Sequence, residues 1–140
     1  MEYEKRVIVA GSSKNHISKI GYGWLDKYLE LEGIDQLVCG MAPCVDSDSM
    51  RWAKMHKIPI KEFPAEWQNF DLPMVKVKYK GDYKYNALAG LFRNELMAQY
   101  ATHVILFPGR NGTTDMFKRA NKHNLKITDF REYHDLVIGF

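Results

Sequence analysis

The sequence predicts an α/β fold, a three-layer sandwich in which helices cover both faces of a mostly parallel sheet of about five strands. Three observations point there. Short β-branched or apolar runs alternate with longer stretches of helical period. The first two of these runs end in glycine, where a buried strand hands over to a helix. The run "HVILF" (103–107) is unbroken in its apolar residues after the histidine, as expected of a strand inside a parallel sheet.

Taken in order, "RVIVAG" (6–11) reads as the first strand. "YGWLDKYLELEG" (22–33) follows as a helix, with Leu25, Tyr28 and Leu29 at helical spacing and Gly33 as its C-cap. "QLVCG" (36–40) is a second strand. "DSDSMRWAKMHK" (46–57) is a second helix, with Asp46 or Ser47 as N-cap and basic residues in its last turn. "IPIKEF" (58–63) is a third strand that Pro59 places near an edge. "NALAGLFRNELMAQYA" (86–101) is a longer helix whose apolar face is Leu88, Leu91, Phe92, Leu96 and Met97. After strand 103–107 come a helix over 113–124 and a fifth strand, "LKIT" (125–128), and the tail "DLVIGF" offers one more short strand.

The alternation fails only at 68–85, "QNFDLPMVKVKYKGDYKY", which has no helical period and reads as a long loop or hairpin able to act as a lid. At 140 residues the chain suits one domain spanning 1–140. A net charge of +3 from scattered lysines and arginines admits anionic ligands but makes nucleic acid an unfavoured partner. Two cysteines are too few for a disulfide scaffold or a four-cysteine zinc site, and the five histidines show no metal-ligand spacing. No apolar run approaches the roughly 20 residues that cross a bilayer. The expectation is a soluble, cytoplasmic protein without membrane contact, metal or cofactor.

In parallel α/β sheets, ligands bind at the carboxyl ends of strands where strand order reverses. That rule selects the loops 11–16 (Gly11, Ser12, Ser13), 40–46 (Gly40, Asp46), 63–67 and 107–115. In the last, Gly109, Arg110, Asn111, Gly112, Thr113 and Thr114 form a glycine-containing strand-to-helix turn. Backbone N–H groups there, aided by the helix dipole, can hold a phosphate, although a plain turn with a threonine cap explains the same residues equally well. Neither common nucleotide-loop fingerprint is present. Asp115 suits the first helical turn but would repel a phosphate bound there, so beside a phosphate it must face another part of the ligand, such as a ribose hydroxyl or a developing positive charge. Arg93 and Asn94 stand mid-helix in "RNE", where a rim arginine with its stem on the apolar face is the simpler account. Glu66 and Trp67, past the third strand, could hold a base or sugar or close the core.

The segments "VIVAGSS", "VCGMAPCVDSDSMRWA", "IPIKEFPAEW", "AGLFRNELM" and "VILFPGRNGTTDMFKRA" follow one another in the order seen in the SLOG superfamily. Over about residues 6–128 the chain resembles its YspA-like branch, which implies a Rossmann-like sheet. The superfamily also holds DNA-processing protein A and the Lonely Guy phosphoribohydrolases, which cleave the base from nucleoside 5′-monophosphates. In the phosphoribohydrolase pattern a helical arginine precedes a strand and the turn P-G-G-x-G-T-x-x-E. Arg93 matches that arginine, and Pro108, Gly109, Gly112 and Thr113 match the turn. Arg110 replaces its second glycine, and Asp115 falls one place before the glutamate position, which Met116 occupies.

The resemblance implies a nucleotide-binding protein, a dimer or larger homo-oligomer, that hydrolyses the N-glycosidic bond of a nucleoside 5′-monophosphate or related phosphoribosyl compound. Asp115, with Glu66, would stabilise the oxocarbenium-like transition state, and Arg93 would orient the ribose phosphate. A sensor or sequestering module for a nucleotide-derived signal is the alternative, and single-stranded DNA binding through 75–85 the third.

Overall fold

A computed structural model describes residues 3–140. Five strands, β1 (Arg6–Ala10), β2 (Gln36–Cys39), β3 (Ile60–Glu62), β6 (His103–Leu106) and β7 (Lys126–Asp129), form one sheet in the order β3-β2-β1-β6-β7. Every pairing in it is parallel. The fold is Rossmann-like. β1 lies at the centre, and strand order reverses between β1 and β6, where the connections leave in opposite directions.

The two-residue period of the strands divides the core. Val7 and Val9 of β1 face α1 (Lys19–Glu32) and α2 (Val45–Met55), packing with Leu25, Tyr28, Trp52 and Ala53. Ile8 and Ala10 face α3 (Ala89–Tyr100) and α4 (Asn111–Lys122), packing with Met97, Ala98, Met116 and Ala120.

Several boundaries differ from the sequence expectations, each for a local reason. α1 begins three residues early because Ser18 caps it, its hydroxyl accepting from the Gly21 amide at 3.0 Å. Gly33 ends that helix as expected, at φ 78°. α2 is preceded by Cys44 rather than capped by Asp46 or Ser47. Both lie inside its first turn, where Asp46 Oδ2 accepts from the Ala42 amide and Ser47 Oγ donates to the Ala42 carbonyl. α4 likewise starts at Asn111, which leaves Thr113 and Thr114 inside the helix rather than capping it.

α3 starts only at Ala89, because Asn86 belongs to a strand. Its buried side is Ala89, Asn94, Met97 and Ala98, and of the expected apolar face only Met97 is buried. Apolar and polar residues alternate round this helix without a clear stripe, and the side it buries includes Ala89 and Ala98, two small residues. The tail forms no further strand. It makes a short 3₁₀ turn (His134–Leu136) and one bridge, Ile17 to Val137, and Leu136 plugs the base of α1 beside Gly21.

The segment that broke the alternation contains an antiparallel hairpin, β4 (Val77–Lys80) and β5 (Tyr83–Asn86), outside the main sheet. Asn86, fully buried, ties it down. Its Oδ1 accepts from the Lys76 and Leu88 amides, and its Nδ2 donates to the Asn69 and Met74 carbonyls.

Candidate functional site

A cleft of about 550 Å³ opens at the carboxyl ends of β1 and β6, at the reversal of strand order. Three turns meet at its rim and are stitched together by backbone. The Ser12 amide donates to the Pro108 carbonyl at 2.9 Å, and the Val45 amide to the Ser12 carbonyl at 3.1 Å. Such close approach needs glycine. A Cβ on Gly11 would sit 2.8 Å from Phe107 Cβ, and one on Gly109 would stand 2.9 Å from the Gly11 carbonyl carbon and overlap Thr113 Oγ1.

The first turn of α4 points into this cleft through Asn111, Gly112 and Thr113, with Arg110 alongside. Its leading amides have no acceptor within the helix, and the dipole adds partial positive charge. Lys14 and Ser13 face it across the opening. Ser12 lines the cleft too, but its hydroxyl is engaged within its own loop. It accepts from the Lys14 and Asn15 amides and donates to Asn15 Oδ1. Thr113 is buried under Gly109, whereas Thr114 is exposed and lies outside the cleft.

Asp46 and Arg93 meet at the floor around Gly40. An Arg93 Nη1–H donates to the Gly40 carbonyl, and Arg93 Nε–H to Asn94 Oδ1 at 3.2 Å. Burial pushes the Asp46 carboxyl up to about 6, against the opposing pull of the Ala42 N–H and the Arg93 charge. Burial lowers the Arg93 guanidinium, and Asp46 and Cys39 partly restore it. Met97 and Met116 complete the floor, and Trp67 forms one wall, its ring edge against Gly90.

The other expected acids lie elsewhere. Asp115 does not line the cleft. Its Oδ2 accepts from Arg119 Nε at 2.9 Å and from Asn94 Nδ2 at 3.0 Å. Arg119 continues to Glu95, which His123 also contacts at 2.8 Å. Burial would raise Glu95, but hydrogen bonds from Gln99, His123 and Arg119 outweigh it and hold the carboxyl at about 2. Asp115 is thus part of an ion network joining α3 to α4, and it reaches Arg93 only through Asn94. Glu66 lines a separate, open hollow with Trp67, Gln68, Asn69 and Tyr83.

Arg93, Asn94, Asp46, Gly11, Ser12, Ser13 and residues 110–113 are therefore brought together around one cleft, and Gly40 and Gly109 shape it from behind. Lys14, Met97 and Met116 were not among the expected residues. For Lys14 the signal was present, as a cation within a selected loop. Among the described residues, no group of three His, Cys, Asp or Glu side chains could hold a metal ion, and no helix is long and apolar enough to cross a membrane.

Residues 5–70 match the family model of the YspA, cpYpsA-related SLOG family. No curated protein matches the sequence. Among solved structures, DNA processing protein A (DprA) from Streptococcus pneumoniae is similar at TM-score 0.64 and 17% sequence identity, over 89% of this chain and 50% of that one. The chain thus spans half the length of that protein, and a likeness at this identity speaks to the fold.

Proposed function

We propose, from the SLOG sequence pattern of residues 5–70 and the cleft at the reversal of strand order, that this protein binds a nucleoside 5′-monophosphate or related phosphoribosyl compound and hydrolyses its N-glycosidic bond. The observation that carries the reading is the convergence of Asp46 and Arg93 at Gly40 in the same cleft as the first turn of α4, a helix start suited to an anion. The phosphate sits against the amides of 111–113, with Arg110 and Lys14 as cations beside it. The ribose then lies over Asp46 and Arg93, and the base lies against Trp67.

Cleavage builds positive charge on the sugar ring, and a desolvated carboxylate beside that ring stabilises it. Asp46 takes this role in place of Asp115. Asp115 becomes a positioning residue, acting on Arg93 through Asn94, and Glu66 contributes to the outer lip rather than to the reaction. Arg93 opposes the protonation that burial favours at Asp46 and clamps the ribose phosphate.

A screen of nucleoside 5′-monophosphates by thermal shift, with released base measured by chromatography, tests both steps. Binding with base release that Asp46→Asn lowers by about 100-fold or more is the expected result. Unchanged release in that variant would sink the catalytic assignment, and the absence of any stabilising nucleotide would sink the binding assignment.

A non-catalytic sensor is the second reading, favoured by the engagement of Asp115 with Arg119 and Asn94. Stabilisation by a nucleotide with no released base selects it. Single-stranded DNA is the third, favoured by the hairpin, where Tyr83 and Tyr85 stack at 5.7 Å, Trp67 meets Tyr85 at 6.4 Å, and Lys78 and Lys80 share their face.

A further inference from the structure

The geometry points to a second reactive centre beside the cleft: Cys44 is a thiol nucleophile served by His16 and oriented by Asp48, and it forms a thioester with acyl substrates. Cys44 is free and partly exposed, with Sγ 3.9 Å from His16 Nε2. On the other side of the ring, His16 Nδ1 lies 3.0 and 3.1 Å from the two Asp48 carboxylate oxygens. A carboxylate there holds the proton on Nδ1 and leaves Nε2 free to accept from the thiol. Nucleophile, base and orienting group are thus in line, the arrangement that activates cysteine in covalent catalysis.

Asp48 and the Cys44 turn are tied into the fold. Asp48 is only 2% exposed and is pinned by the Ile17 amide at 2.9 Å and by Arg51. Cys44 has φ 64° and ψ −109°, backbone that a glycine would adopt without strain. The Val45 amide bond to the Ser12 carbonyl holds that turn. A cysteine kept in a strained turn at the start of α2 presents its sulfur to solvent; the Val45 amide is taken by the Ser12 carbonyl, but the Asp46 and Ser47 amides that follow have no acceptor within the helix. They supply donors for an oxyanion.

His16, whose side chain is 62% exposed, contacts Cys44 with one ring nitrogen and the buried Asp48 with the other. Cys39 makes the contrast. It is buried, its Sγ donates to the Asp46 carbonyl, and burial pushes its thiol up to about 11. Its thiol is inert.

In the step itself, the Cys44 proton passes to His16 Nε2 as Sγ bonds to the acyl carbon. Collapse of the tetrahedral intermediate returns that proton to the leaving oxygen or nitrogen and leaves a thioester. Water, giving a proton to His16, then attacks the thioester and releases the carboxylic acid and the free thiol. This centre does not depend on the nucleotide reading of the cleft, since Cys44 follows Pro43 but does not line it.

The test uses the intact chain, with iodoacetamide and p-nitrophenyl acetate as probes and mass spectrometry to locate the adduct. Cys44 is expected to alkylate at least about tenfold faster than glutathione at pH 7, and His16→Ala to slow it by a similar factor. His16→Ala removes one partner of the buried Asp48, which keeps the Ile17 amide and Arg51, and circular dichroism checks that the variant keeps the fold. p-Nitrophenyl acetate is expected to give a nitrophenolate burst stoichiometric with protein and an acetyl group on Cys44, both lost in Cys44→Ala. Alkylation no faster than glutathione, or unchanged by His16→Ala, or the absence of a burst, overturns the proposal.

Discussion

Asp46 and Arg93, carried by two different helices, converge on the same glycine. A Cβ on Gly40 would lie 2.9 Å from Asp46 Oδ2 and 3.0 Å from Arg93 Nη1. The contact puts an acid and a base on the cleft floor without a direct side-chain link between them, and Gly40 makes the space for it.

Gly40→Ala follows from this directly. The crowded atoms are the ends of flexible side chains, so they move aside and urea unfolding shifts by less than about 1 kcal/mol. The displaced floor weakens nucleotide binding by at least about tenfold, or about 1.4 kcal/mol. Calorimetric titration against the best nucleotide from the screen measures that, and unchanged affinity would detach Asp46 and Arg93 from the ligand.

The raised carboxyl of Asp46 makes stability depend on pH in a defined direction. Its charged form is penalised in the fold, by burial first, so the group favours the fold below its ordinary 3.8 and loses that contribution as pH rises through about 6. Asp46→Asn removes the penalty. The variant is expected to exceed the parent in stability at pH 8 by on the order of 1–3 kcal/mol, with the gap closing below pH 4. Denaturant midpoints from pH 4 to 8 measure it, and a gap independent of pH contradicts it.

Asn86→Ala should loosen the hairpin and spare the sheet. The substitution leaves the Lys76 and Leu88 amides and the Asn69 and Met74 carbonyls without their partner. A local cost of about 2 kcal/mol raises opening of this segment roughly 30-fold. Limited proteolysis would then cut within 68–85 at a correspondingly higher rate, while amide exchange in β1 and β6 stays slow. Equal acceleration across the whole chain would mean that Asn86 supports the global fold.

Much of the architecture was legible because it rests on local patterns. The β-branched runs at 6–10 and 103–106 are strands in the middle of the sheet, and Pro59 did mark an edge, since among the described residues β3 pairs only with β2. Helix starts were harder to read. Ser18 was hidden in a polar stretch, and Cys44 precedes α2 through a strained backbone that no cap preference announces. The face of α3 was not legible because polar and apolar residues are mixed all round that helix, leaving no stripe to choose.

The acid of the cleft shows the same limit more sharply. The motif pattern drew attention to Asp115, at the start of α4, yet Arg119 lies one helical turn further on and takes its carboxylate. Asp46 looked like a capping residue, because within its own segment nothing distinguishes it from one.

The sequence alone determined the alternation of strands and helices, the glycine turns at their junctions and the end of the sheet at which those turns gather. Only the tertiary structure decided which acid meets Arg93, and that Cys44, His16 and Asp48 stand in one row. Hydrophobic period and turn chemistry act between residues a few positions apart, so they are written into short segments. Side-chain pairing across elements depends on strand order and on how closely the loops at the sheet's end approach, which glycines 11, 40 and 109 set together in space.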